Sequence, residues 1–274
     1  MPRDDIQKFW QETTAEMAQV PIDACVERIE PEGLIFEGAI TTLTHSRVTM
    51  SSFEGRRIRA WLSVPVHIAR YGYVTLALYP RGQGESGAEW QLEHDTQATY
   101  EVTDRHLYYY RGAYMDCVRG LDFLCTRSDV NPRLLGLWGR SQGGGMTLAT
   151  SALDARVRAA VAELPWPCNF PAAVGSTTAP YSELTDYLAR HPDRQDVVMA
   201  TLEYFDPLNL ADAISCPILV NAATIDEVHP YRTIAPVFEK IPPIKSLIVY
   251  PDMDHGGRND FAVHALAWLA RYLR

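Results

Sequence analysis

The chain contains no apolar run approaching the roughly 20 residues that a bilayer-spanning helix needs, so no membrane is expected as a partner. It contains no C-x-x-C pair. Its five cysteines, Cys25, Cys117, Cys125, Cys168 and Cys216, are odd in number, which argues against a disulfide framework and against a cysteine zinc site. Buried free thiols, no metal and no cofactor are the expectation. Positive charge is also short: 25 Lys and Arg face 34 Asp and Glu, and the formal net charge of -9 disfavours nucleic acid and anionic surfaces. The opening MPRDDIQKFWQE lacks the apolar core of a secretory signal, which makes a cytoplasmic location the expectation. Neither internal repeats nor low-complexity stretches interrupt the 274 residues. With 47% hydrophobic and 22% charged residues, the composition is that of an ordinary soluble globular protein. Nothing marks a join, so residues 1–274 are read as one domain.

What is present is a change of pattern along the chain. Residues 3–18 carry Ile6, Phe9, Trp10 and Met17 at helical spacing, closed by Pro21. Residues 34–64 hold short alternating runs (LIFEGAI, RVTM, IRAWLSV) of antiparallel-strand type, with Trp61 read as core. Residues 73–79, YVTLALY, form a nearly continuous apolar run, as expected of a strand buried on both faces. Gly82, Gly84 and Gly87 then satisfy G-x-G-x-x-G, but they lead into the polar AEWQLEHDTQ rather than a helix, so a structural turn is preferred to a dinucleotide site. Tyr108, Tyr109 and Tyr110 either line a pocket or pack with their hydroxyls outward. Helical periodicity follows over residues 113–126. From there strand and helix alternate to the end, with strands over 157–164, 217–222 and 246–250. Residues 165–210, carrying six prolines among short helices, read as a cap over the sheet; Trp166 and Phe170 either line its pocket or anchor it. The fold class is α/β: a doubly wound, mostly parallel sheet with antiparallel N-terminal strands and a small helical cap.

The chemistry gathers at residues 134–146, LLGLWGRSQGGGM. Strand, tight turn and helix is the reading, and Gly139, Ser141 and Gly143 fit the nucleophile elbow G-x-S-x-G. A strained turn needs neighbours without side chains, and the helix behind it offers N–H groups to an oxyanion. A serine hydroxyl is a poor nucleophile at neutral pH, so the elbow means catalysis only if a histidine takes its proton and a carboxylate holds that histidine. Among eight histidines, His255 follows the last strand in a Gly-rich loop. Asp226 ends the preceding strand, whereas Asp252 and Asp254 are too close in sequence to reach the His255 Nδ1. His229 is the rival reading of the Asp226 loop.

With Arg81-Gly82-Gln83, Gly139-Arg140-Ser141-Gln142-Gly143, Asp226 and His255 in view, the chain resembles the acetyl xylan esterase and cephalosporin C deacetylase family, carbohydrate esterase family 7. RGQGESG, YYYRGAYMDCVRGLDFL, GRSQGGG and TLEYFDPLNLADAISCPILV all look like that family's wording. The resemblance implies an α/β-hydrolase fold and a Ser-His-Asp triad. It also implies release of acetate from acetylated xylo-oligosaccharides or cephalosporin C, and assembly as dimers or hexamers. Carried over by motif, Ser141 is the nucleophile, His255 the general base, Asp226 its orienter and the Gln142 N–H one oxyanion donor. Arg81, Gly82, Gln83, Gly139 and Gly143 form the supporting motifs near the site.

Two departures stand out. Gly256 follows His255 where the family usually has Glu. Between residues 64 and 73, where the family normally has another strand, a His-Gly-Tyr loop and a helix, this chain has only PVHIARYG. That loop supplies the second oxyanion donor, worth about 3 kcal/mol. The strands on either side of the absent one must pair with each other or leave the sheet divided. A weakened or inactive homologue is the alternative to an active esterase. An intact mass of 30.8 kDa is expected if the shortcut is genuine, and that result rules out an omission of residues after Val64 from the sequence.

Overall fold

The computed structural model describes residues 3–29, 43–65, 72–88, 90–92, 96–242, 244–257 and 260–274. Their contacts sort into two units. One comprises Met1–Thr13, Leu92–Tyr114 and Arg133–Arg274, and the other Thr14–Gln91 and Met115–Pro132. No helix among the described residues is long and apolar enough to cross a membrane.

Helix α1 (Arg3–Ala18) forms where the apolar spacing predicts it. In the smaller unit, β1 (Cys25–Ile29), β2 (Leu43–Ser51), β3 (Arg57–Pro65) and β4 (Thr75–Tyr79) make an antiparallel sheet in that order. The alternation seen in the sequence puts Val48, Met50, Ile58, Ala60 and Leu62 on one face. There they pack with Phe123 of helix α2 (Tyr109–Cys125). Trp61 falls on the other face, opposite Arg47, and is not core: its indole N–H donates to Glu85 Oε1 at 2.8 Å. The period of two forces this, because Ala60 and Leu62 already occupy the buried side. The LIFEGAI run and residues 66–71 of the shortcut lie outside the described residues. β3 and β4 nevertheless pair directly, Arg59 opposite Tyr79 and Ser63 opposite Thr75.

After β4 the glycine-rich stretch is a turn running into a short 3-10 segment, Gly84–Ala88, and not a helix of the dinucleotide-binding kind. Arg81 in this turn is 5% exposed. Its Nε and Nη2 donate to the two carboxylate oxygens of Asp116 at 3.0 and 2.9 Å, and its backbone N–H donates to Oδ2. The Ser52 hydroxyl donates to the same carboxylate, and Glu54 takes a further guanidinium N–H.

The larger unit holds a parallel sheet of β5 (Leu135–Arg140), β6 (Val157–Glu163), β7 (Ile218–Ala223) and β8 (Lys245–Tyr250) in sequential order. Its helices are α3 (Gln142–Leu153), α4 (Phe170–Ala173), α5 (Tyr181–Arg190), α6 (Gln195–Leu202), α7 (Pro207–Leu210), α8 (Tyr231–Lys240) and α9 (Phe261–Tyr272). All six residues of β7 are buried, as a strand between two parallel neighbours should be. A second core is aromatic: Phe9 and Trp10 of α1 meet Tyr204 and Phe205, with Tyr108 and Tyr114 against Phe205. The three successive tyrosines turn inward and are fully buried, with the Tyr108 hydroxyl donating to Ala98 O and the Tyr110 hydroxyl bonded to Gln142. All five cysteines are free, but only Cys168 and Cys216 are buried, and Cys25 on an outer strand is exposed.

Of the two outcomes open to the strands beside the absent one, the described residues take the second. β4 ends one sheet and β5 ends the other. β4 is therefore not buried on both faces as its apolar run predicts, since Thr75 and Ala77 are exposed. On β5, Trp138 is 43% exposed. A strand with neighbours on one side only leaves side chains uncovered that its composition is suited to bury.

Removing Asp116 leaves the Arg81 charge buried without its main partner. Asp116→Ala is expected to cost about 3–5 kcal/mol in urea unfolding. The double substitution Arg81→Met with Asp116→Leu should recover most of that loss.

Candidate active site

A parallel sheet aligns the carboxyl ends of its strands along one edge, and ligands of open α/β sheets bind there. Ser141 follows β5, Leu164 follows β6, Asp226 follows β7 and His255 follows β8, so residues 23 to 114 positions apart stand along one edge.

The elbow is held by sterics and by two backbone bonds. Ser141 sits at φ 56° and ψ -120°, a left-handed conformation that costs a non-glycine residue on the order of 1–3 kcal/mol. Its N–H donates to Glu163 O at 2.8 Å, and its carbonyl accepts from the Trp166 N–H at 2.9 Å. A Cβ at Gly139 would stand 2.1 Å from the Gly143 carbonyl oxygen, so only glycine fits there. At Gly143 a Cβ would meet nothing, which departs from the reading of both motif glycines as space-savers. Two further crowded positions lie beyond the motif: a Cβ at Gly144 would stand 2.8 Å from Glu163 O, and one at Gly145 2.0 Å from Trp166 O. Those glycines let the start of α3 press against the segment leaving β6, and the three-glycine run is the signal in the sequence that marks them. Gln142 opens α3, where helix geometry sets the first N–H groups outside the helix's own ladder and the dipole is positive. Its side-chain amide is tied back to Gln97 and the Tyr110 hydroxyl, at 3.0 and 2.8 Å.

Asp226 and His255 meet as the order of motifs predicts. His255 Nδ1 lies 2.9 Å from Asp226 Oδ2, while Asp226 Oδ1 accepts the N–H groups of Val228 and His229 at 2.9 and 2.8 Å. Burial pushes the Asp226 carboxyl up, but the bond from His255, the His229 N–H and the neighbouring imidazoles outweigh it and hold it below the usual carboxylate range. The carboxylate side chain is fully buried and His255 is 24% exposed. Arg140 Nη2 donates to His255 O at 2.8 Å, tying the end of β5 to the His255 loop. Among the described residues no hydrogen bond joins the Ser141 hydroxyl to His255.

His229, the rival in the sequence, belongs to the same site. Its ring lies edge-to-face with His255, centroids 4.3 Å apart, and stacks on Trp166 at 6.4 Å. Nδ1 lies 2.8 Å from Leu164 O; a carbonyl only accepts, so Nδ1 carries the proton and donates. Nε2 is buried with no partner. Burial and then the nearby His255 push His229 down to about 4, so the ring is neutral at pH 7.

The two cap residues separate. Trp166 is buried against His229, Tyr110 and Tyr181, beside the site. Phe170 packs on Tyr181 and lines a different cleft, of about 400 Å³, with Ile6, Met199, Leu202 and Lys240. No residue of the Ser141, Asp226 and His255 set lines that cleft. Arg81, Gly82 and Gln83 belong to the smaller unit.

Similarity to known proteins extends over most of the chain. The family model for acetyl xylan esterase matches residues 66–272. Acetyl esterase Axe7A of Xylanibacter ruminicola is 25% identical over 214 residues, 75% of this chain and 48% of that protein, so the chain spans about half the length of this curated relative. An acetyl xylan esterase from Paenibacillus sp. R4 superposes with a TM-score of 0.88 at 24% identity, over 98% of this chain and 95% of the other. Acetyl xylan esterase 1 from Thermoanaerobacterium sp. JW/SL YS485 gives 0.85 at 22%, over 98% and 94%. At these identities the two structures speak for the fold, which is that of the α/β hydrolases.

A histidine whose folded value lies below its ordinary 6.5 takes up its proton in the unfolded chain first, so acid favours unfolding. Stability is expected to fall as pH drops from about 6.5 to about 4, by roughly 3 kcal/mol from His229 alone. Asp226, held low by its partners, adds a loss of the same sign at lower pH. Urea midpoints across this window should decline steeply in the wild type and more gently in His229→Gln.

Proposed function

The chain belongs to the acetyl xylan esterase family, and from that premise we propose that it is a serine esterase that removes short acyl groups, acetyl above all, through an acyl-enzyme. The observation that carries the reading is the Asp226–His255 pair at 2.9 Å on the strand edge where Ser141 is held in a strained turn.

In this mechanism His255 accepts the Ser141 proton as the hydroxyl oxygen attacks the ester carbonyl. Asp226, ionised and buried, keeps the imidazole oriented and stabilises its positive charge. The Gln142 N–H at the start of α3 receives the negative charge on the tetrahedral oxygen. Collapse expels the alcohol, which takes the proton from His255 and leaves acyl-Ser141. Water then attacks the acyl carbon, His255 takes its proton, and acetate leaves as Ser141 is reprotonated. Acetylated xylo-oligosaccharides and cephalosporin C are the substrate classes to test, and Trp166 is the apolar wall nearest the histidines.

A hydrolase homologue that binds without turnover is the second reading. It is favoured by β5 being an end strand and by the missing hydrogen bond between Ser141 and His255. Hydrolysis of p-nitrophenyl esters across acyl lengths, for wild type and Ser141→Ala side by side, separates the two. An esterase shows turnover that declines beyond short acyl chains and drops by about four orders of magnitude or more in Ser141→Ala, to background. Equal, slow rates in both proteins would favour the binding reading.

A further inference from the structure

His229 is not needed by the mechanism above, yet it stands inside the site with an unclaimed lone pair. Asp226, His229 and His255 each offer one ligand atom, and the three atoms lie within 4.8 Å of one another. The second observation is the state of His229 itself. Its Nδ1–H is donated to the Leu164 carbonyl, which fixes the tautomer and leaves Nε2 as a lone pair, and that nitrogen is fully buried with no hydrogen-bond partner. A carbonyl accepting from one ring nitrogen and a bare lone pair on the other is how histidine is prepared as a metal ligand.

We propose that Asp226, His229 and His255 bind one zinc-class divalent cation, and that its occupancy blocks hydrolysis. Two imidazole nitrogens with one carboxylate form a set that suits zinc and its neighbours and does not suit magnesium or calcium, which take oxygen ligands. Zinc bonds of about 2.0–2.2 Å place ligand atoms about 3.4 Å apart, so the three atoms need to close by shifts on the order of 1 Å. His255, partly exposed and on a loop, is the one able to move, and its exposed side is the entry path. The block follows from the imidazole: a neutral ring has one in-plane lone pair, and once the ion holds it none remains to accept the Ser141 proton. That consequence rests on the serine-esterase reading, whereas the binding does not.

The test uses the full chain in a Cys25→Ser background, because the exposed Cys25 thiol is a competing zinc ligand. Zn²⁺ alone is titrated against a chromophoric chelator, and p-nitrophenyl acetate hydrolysis is followed on the same samples. One equivalent should bind, with activity falling in step and returning on chelation. His229→Gln should weaken binding by at least about tenfold, while Ser141→Ala should bind as the parent does. Unchanged zinc affinity in His229→Gln, or no stoichiometric binding in the parent, overturns the site. If His229→Gln does not fold, Co²⁺ added to the parent decides: a tetrahedral nitrogen and oxygen absorption band supports the site, and its absence overturns it. Stoichiometric zinc binding to a parent with no esterase activity leaves the site standing and removes only the serine-esterase reading.

Discussion

Two backbone hydrogen bonds clamp Ser141 to the strand beside it. Its N–H reaches Glu163 and its carbonyl takes the Trp166 N–H, so the residue is pinned from both sides in a conformation it would not hold alone. The clamp works only because the chain approaches itself so closely. Gly139 faces the Gly143 carbonyl and Gly145 faces the Trp166 carbonyl, at separations no side chain permits. The same segment carries Leu164, whose carbonyl sets the His229 tautomer and whose N–H donates to Asn221 on β7. Thus the serine turn, the β6 exit and the Asp226 loop are parts of one hydrogen-bonded frame. Asp226 completes it by accepting from its own loop and from His255 together.

Among the described residues β4 and β5 stand at the ends of separate sheets. β3 and β4 pair directly, and among the described residues β4 ends the antiparallel sheet of the smaller unit. Among the described residues β5 has β6 on one side only, and Trp138 is exposed on the strand that leads to Ser141. Parallel strands are suited to burial on both faces, which makes an end position for this one unusual for its composition. The precision of the serine turn therefore depends on β6 and the glycine contacts more than on the sheet around it.

Much of the fold was legible because it is governed by local periodicity. Helix α1 and strands β3 to β8 fall where apolar spacing places them, within about two residues. Motif spacing also located the elbow, and chain order located Asp226 and His255, since a parallel sheet turns sequence order into spatial adjacency. Trp61, the three tyrosines and Cys25 were less legible. Each depends on which face of an element is already filled, and composition does not carry that information. β4 shows the same limit: its apolar run describes a buried strand, and its position at the end of a sheet overrides the pattern.

By itself the sequence determined most of the elements, the α/β class, the serine turn and the placing of Asp226 and His255 after later strands, because these rest on short-range sterics and on the order of motifs. Only the tertiary structure decided that Gly145 rather than Gly143 carries the close packing, that Phe170 faces away to another cleft, and that His229 stands in the site with a bare nitrogen. Each of these is a contact between residues far apart in the chain, or a lone pair left over once such contacts are made. Neither quantity exists until the chain has folded.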